Sequence, residues 1–332
     1  MTLRNTALAL LLAAIGSGAA AQTITLRMAA NVPANSPWDL GLKRLASEFD
    51  RVSGGKVKIV FPQSVRVATE SDVIQKMKLG IDGALLTTYG IAQLYPDSLA
   101  LSMPSFVRND AEFDAVLEAI RPLFEQRLSD RYVILAIARG GWIRYFSRGP
   151  VVYPSDLAKI RVSIAPEDDK VMRLMQSVGS RTVKGDTAAF LLQMNSNAVD
   201  AACVSPIYIA SLWSQLRGKV NYMTPFKVSP FIGAVLFTKA SWAKVPADVR
   251  PKLEQVVLDM AKQISLDSER LETDAIAAMT KDGLKMPTMP ADAEAKWTQM
   301  ISERRNSLIA EMFSADILEA MDAALAKVRA KK

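Results

Sequence analysis

Hydrophobic and polar positions along the chain switch repeatedly between the strand period and the helix period. Thr23 to Ala30, "TITLRMAA", reads as a strand. It leads through "NVPANSPW" into a helix with Ser36 as N-cap and Pro37 at the first helical position. Leu42, Leu45, Ala46, Phe49 and Val52 give that helix an apolar face, and Gly54-Gly55 stops it. "KVKIVF" is the next strand. Thr69 then caps a helix through Val73, Met77 and Leu79 to Gly80, and "GALLTTY" returns to the strand pattern. A helix over 111–128 and the strand Tyr132 to Ala138 follow. Strands alternating with helices in this way predict a mostly parallel, layered α/β sheet.

A second series begins near Trp142. It comprises "IRYFS", a strand around Arg161, a helix from Asp168 to Val178, a short strand near Thr182-Val183 and a helix from Thr187 to Asn195. "VDAACV" and "GAVLFTK" complete it. No solenoid repeat and no Pro/Gly/Ser-rich linker divides the chain, so two domains are expected to share ordered crossing strands. From Pro246 to Lys281 the positions Leu253, Val256, Val257, Met260, Ile264 and Leu271 keep helical spacing, and Gly283 ends the run. At ~1.5 Å per residue such a helix is roughly 45 Å long, enough to lie across both domains as a spine.

Composition narrows the functional classes. Residues 1–21 read as a cleavable secretory signal, with Arg4, the apolar run Ala7 to Ile15 and the small residues Ala19-Ala20-Ala21. The expected compartment is the periplasm, and nothing later is apolar enough to span a bilayer. A formal charge of +7 favours anionic partners weakly, and the basic residues are too scattered for nucleic acid. With 0 His and one cysteine, Cys203, there is no histidine-based catalysis, no intramolecular disulfide and no cysteine metal cluster. An enzyme built on carboxylates or lysine remains as an alternative, and no cofactor or metal is expected.

One strand raises a question of its own. In Lys159-Ile160-Arg161-Val162-Ser163 the apolar pair faces one side, and Arg161 shares the other with Lys159 and Ser163. Arg161 is either a solvated or ion-paired surface residue or an anion clamp at the mouth of a cleft.

Nearly the whole mature chain, from "LRMAANVPANSPW" to beyond "SWAKVPADVRPKLEQVV", resembles the periplasmic solute-binding proteins of tripartite ATP-independent periplasmic (TRAP) transporters, DctP type. "DLAKIRV" looks like the family's "DLKGLKIRV", and "GWIRYFSRGPVVYPSDL" like its crossover segment. "NAVDAACVSP" is similar to "GxVDGxENxP", and "FTKASWAKVPADVR" to "SKKWWDSLPPEDQ". The resemblance implies a two-domain periplasmic binding protein fold with a type II-like cleft and a long helix spanning both domains. The first domain is expected over 22–141 and 229–268, the second over 142–228 and 269–332. It further implies a monomeric receptor that captures a small organic acid in the cleft and delivers it to membrane permease subunits. A ligand-sensing module for a membrane sensor is the alternative within this fold.

In this resemblance the family's carboxylate-binding arginine falls on Arg161, and a second polar or arginine position on Arg144. Glu70 is either an acidic cleft residue or a helix-terminal charge, and Asn31 either a ligand amide or a plain loop residue. Trp142, Phe190, Tyr208 and Trp213 are cleft aromatics or core. The run Glu167-Asp168-Asp169 reads as a charge-capped helix start rather than a metal site. Where the family has "VDGxEN", Cys203 and Val204 replace the polar Glu and Asn, and "FPQSVRVATE" lacks the family's Gly-Leu-Gly turn. A less polar cleft wall points to a monocarboxylate with an apolar or modestly polar body.

Overall fold

The computed structural model describes residues 23–331, apart from 33, 63–68, 105, 165–168, 178, 186 and 305–307. The expected signal, the "QSVRVA" stretch and Glu167-Asp168 therefore lie outside the described residues. The first half runs β1 (Ile24–Ala30), α1 (Pro37–Val52), β2 (Val57–Val60), α2 (Glu70–Lys78), β3 (Gly83–Thr87) and α3 (Thr88–Leu94). A 3-10 segment Pro96–Ser102, α4 (Asp110–Leu128) and β4 (Tyr132–Ser147) follow. Ser36 and Thr69 cap α1 and α2 as the sequence predicts, and Thr69 forms a full capping box with Asp72.

The second half contains β5 (Arg161–Ile164), α5 (Asp169–Ser177), β6 (Arg181–Lys184), α6 (Thr187–Asn195) and β7 (Ala201–Val204). It continues with α7 (Pro206–Ser211), α8 (Trp213–Leu216), β8 (Tyr222–Met223) and β9 (Ser229–Thr238). The chain ends with α9 (Lys239–Trp242), α10 (Arg250–Lys281), α11 (Ala293–Arg304), α12 (Ala310–Met312) and α13 (Ala315–Arg329).

The strand order is β2-β1-β3-β9-β4-β7-β5-β6, with β8 beside β4. The segments "YVILAIA" and "IRYFS", which the pattern separates, form one strand that passes from one half to the other. Its partner β9 pairs with it antiparallel from Tyr132↔Thr238 to Ile143↔Ser229, with an irregularity between Arg139 and Trp142. Gly140 and Gly141 lie in that irregularity, and Gly141 adopts φ +104°, a conformation open mainly to glycine. The boundary expected at 141/142 is thus the bend of a continuous ribbon.

Two apolar clusters sandwich the sheet of the first half. Leu26, Leu45, Phe49, Val235 and Phe237 pack against Leu253, Val257 and Ile264 of α10 on one face. Val73, Phe113, Ile120, Phe124 and Leu236 occupy the other face with Ile317 and Met321 of α13. The C-terminal helix, expected in the second domain, belongs to the first: Arg329 donates to both oxygens of buried Glu112 at 3.0 Å, and α13 covers α4. The second half has its own cores around Phe146, Phe190 and Ile209 and around Tyr145, Val162 and Trp297. Helix α10 buries Leu253 to Ile264 in the first half and Met279 in the second, so it is the spanning helix.

A Cβ at Gly141 would lie 2.9 Å from the Glu272 carboxylate on α10. Gly141→Ala is therefore expected to destabilise by about 1–3 kcal/mol through backbone strain and this close approach, read as a lower urea midpoint with an unchanged slope.

Candidate functional site: the cleft between the two halves

Strand directions fix where the cleft lies. β1 and β3 are parallel to each other and β3 is antiparallel to β9, so both run with β4 toward the second half. β7 is antiparallel to β4, and β5 and β6 follow β7, so all three run back toward the first half. The carboxyl ends of both strand sets therefore face each other across the β4/β9 ribbon, where open α/β sheets place their ligands. Ala30-Asn31 and Thr87-Thr88 lie at these ends in the first half. Ile164 and Val204-Ser205 lie at them in the second.

Arg161 is not at these ends, which corrects its expected role. It is the first residue of β5, level with Asp200 just before β7, and its Nε and Nη2 each donate to the Asp200 carboxylate at 2.8 Å. Its backbone N–H also donates to Asp200 (2.9 Å), and the Asp200 N–H returns a bond to the Arg161 carbonyl (2.8 Å). The Asp200 backbone carbonyl in turn accepts from the N–H of Arg148, the residue after β4 (3.0 Å). At ~3.3 Å per strand residue, Arg148 lies roughly 20 Å from the bend at Trp142. Counted without a gap from Asp156, the arginine of "DLKGLKIRV" aligns with Ser163, whose hydroxyl donates to Gln193 (2.9 Å). The ion-paired reading of Arg161 is the one the geometry favours. The bidentate bond holds the Asp200 carboxyl below its usual range and raises Arg161.

Arg144 and Trp142 do come together, buried in the bend. The Trp142 N–H, without a ladder partner at the irregularity, donates to Glu272 of α10 at 2.8 Å, and Arg144 Nε lies 3.6 Å from the other Glu272 oxygen. Arg144 Nη1 donates to the carbonyls of Thr224 and Pro225. Burial pushes the Glu272 carboxyl up, partly offset by the Trp142 N–H and Arg144, and burial lowers the Arg144 guanidinium against the pull of Glu272. The Trp142 indole donates to Asp110 (3.0 Å), with Lys227 4.5 Å and Arg139 5.6 Å from its ring centre. Arg139 also pairs with Asp110 at 3.0 Å. These residues fasten the ribbon to α4 and α10. The sequence reading missed Glu272, Asp110 and Arg139; the adjacent Gly140-Gly141 was the signal that the strand bends and sheds backbone bonds there.

Other expected residues are also committed to the fold. Glu70 accepts from the Thr87 N–H, the Thr87 hydroxyl (2.8 Å) and the Gly90 N–H (2.7 Å), tying α2 to the β3–α3 junction. Burial nevertheless raises its carboxyl. Trp213 donates to Asp282 at 2.8 Å and, with Tyr208 and Phe190, packs into the second-half core. Cys203 in β7 faces the Tyr145 register position, and its desolvation pushes the thiol well up. Asn31 alone among the predicted residues stands exposed at a strand end facing the cleft. Asp169 begins α5 and pairs with Lys184 at 3.5 Å, as a helix-start charge should.

The DctP family, described as bacterial extracellular solute-binding protein, family 7, matches residues 28–314. The chain belongs to this family. A solute-binding protein of Roseobacter denitrificans is 19% identical over 323 residues, covering 91% of this chain and 95% of that protein. A TRAP periplasmic solute-binding protein from Ochrobactrum anthropi, with its C-terminus bound in the ligand-binding pocket, superposes with a TM-score of 0.80 at 18% identity. That match covers 93% of this chain and 97% of the other. A counterpart from Sulfurospirillum deleyianum with bound succinate gives 0.76 at 17% identity, covering 90% and 98%. DctP proteins bind solutes for transport and are not enzymes. Among the described residues no helix is long and apolar enough to cross a membrane.

Two outcomes follow from the placement of charges. Removing the Glu272 carboxylate strands Arg144 in the bend, so Glu272→Ala should cost about 3–5 kcal/mol in urea unfolding. Asp200 has a depressed folded pKa, so its contribution is full above the unfolded value near 3.8 and is lost as pH falls through the folded value. Asp200→Asn should flatten the acid limb of a stability–pH profile, whereas an unchanged limb would place the acid sensitivity elsewhere.

Proposed function

We propose that this protein is the periplasmic receptor of a TRAP transporter. It captures a small organic acid between the facing strand ends and hands it to membrane permease subunits. Membership of the DctP family carries this reading. The succinate-bound relative supports an acid as the solute, and the net positive charge of the chain is compatible with one. The secretory pattern of residues 1–21 supports the location.

Asn31 and Ser205 at the strand ends are neutral, with Ile164 and Val204 beside them, and Lys184 at the end of β6 is paired with Asp169. Ser163 holds the place of a guanidinium. A monocarboxylate with an apolar or modestly polar body suits such walls better than a polyhydroxylated sugar acid, whose many hydroxyls would need matching polar partners.

A thermal-shift screen of the mature protein against small monocarboxylates, dicarboxylates and sugar acids tests this. A solute at a hundred times its dissociation constant adds about 2.7 kcal/mol and should raise the midpoint by a few degrees. Selective response to a sugar acid would overturn the solute class, and response only to uncharged solutes would overturn the acid. Arg161→Ala should lower the midpoint of the solute-free protein while leaving affinity within about twofold, as for a distant, independent site. Loss of binding in a folded variant would restore Arg161 to the cleft.

A further inference from the structure

Solute capture requires the two halves to close and open, and one side chain joins them at the rim of the cleft. Lys170, in the first turn of α5, belongs to the second half. Its ammonium donates to the Met312 carbonyl, stands 4.6 Å from the centre of the Phe313 ring and lies 3.7 Å from Asp97. All three acceptors belong to the first half. Asp97 opens the 3-10 segment after α3, and Met312 and Phe313 pack in the cluster shared with α4 and α13.

The receiving side is itself built. Asp97 accepts from both the backbone N–H and the hydroxyl of Ser314, which holds the C-terminal segment against the 3-10 segment. A carbonyl, an aromatic face and a carboxylate thereby converge on one cation. A cavity of about 150 Å³ lies alongside, with Tyr89, Gln93 and Pro96 on one wall and Asp169 and Lys170 on the other. The two walls meet there without merging into one core.

We propose that Lys170 is a closure latch, a cation on α5 that docks into the Asp97–Met312–Phe313 socket and holds the two halves together in the absence of solute. The contacts are few and part-buried, so the latch biases the open–closed equilibrium without locking it. The C-terminal segment returns from the second half to the first and supplies two of the three contacts, which gives α12 a role beyond packing. Capture of a solute gives the latch its purpose, yet the measurement that tests it uses none, so the two readings fail separately.

Spin labels at Leu79→Cys, after α2, and Leu192→Cys, on α6, sit on exposed positions of opposite halves. Half-buried Cys203 is replaced by Ala in all variants. Distance distributions from pulsed electron double resonance are compared for Lys170, Lys170→Met, which keeps the apolar stem, and Lys170→Arg, which keeps the charge. The ratio of short to long distances should fall roughly three- to tenfold in Lys170→Met and recover in part in Lys170→Arg. Unchanged distributions in a Lys170→Met protein with a normal circular dichroism melt would overturn the latch. An equal loss in Lys170→Arg and Lys170→Met would also overturn it, since charge would then not matter.

Discussion

The antiparallel pairing of β4 with β9 is the constraint on which the rest of the molecule depends. Both halves hang from this one ribbon, so the direction of every other strand is set relative to it. Because β3 joins β9 and β7 joins β4, the carboxyl ends of the two strand sets must face each other. The ribbon has to bend between the halves, and a bend costs backbone hydrogen bonds. Gly141 supplies the conformation, and Glu272 supplies the acceptor for the Trp142 N–H. Arg144 then balances a carboxylate that burial would otherwise drive toward its neutral form.

Much of the buried charge is committed to the fold. The guanidiniums of Arg139 and Arg144 serve the bend, and that of Arg161 ties β5 to the entry of β7. Glu70 braces the start of α3 from beneath. Such pairs add little net stability, since desolvation offsets much of their attraction, but they fix register and angle.

Much of the architecture was legible in the sequence, and the reasons are local. The caps at Ser36 and Thr69, the alternation in β1 and β2 and the helical run of α10 depend on neighbouring residues, so periodicity exposes them. The site was less legible because its determinants are not local. Alternation showed which face Arg161 shares with Ser163 but not which end of β5 it occupies, and its partner Asp200 is remote in sequence. Treating "KIRV" as the aligned core moved the family arginine by two strand positions, onto the same face and away from the cleft. A buried carboxylate in mid-helix, such as Glu272, looks like any surface glutamate until α10 is laid across the ribbon. The same blindness placed α13 in the wrong half, since its partner Glu112 lies on α4, far back along the chain.

Three of the connections between the halves differ in kind, and that difference shapes the motion available. The ribbon is continuous and hydrogen-bonded on either side of the irregularity at Gly140-Gly141, so it resists stretching but bends there. Helix α10 is pinned to the ribbon at Glu272, beside that bend, so it cannot slide past the ribbon when the halves move. Its apolar contacts with the first half lie before this pin and those with the second half after it. Rotation about the pin is the movement that disturbs both sets least, and it separates or joins the strand ends with little loss of core packing. The rim contact at Lys170 lies away from the axis, where a small rotation produces the largest displacement, and it is made of a few part-buried side-chain contacts. A stiff axis with a breakable rim is what a receptor needs if it is to hold a solute and then release it.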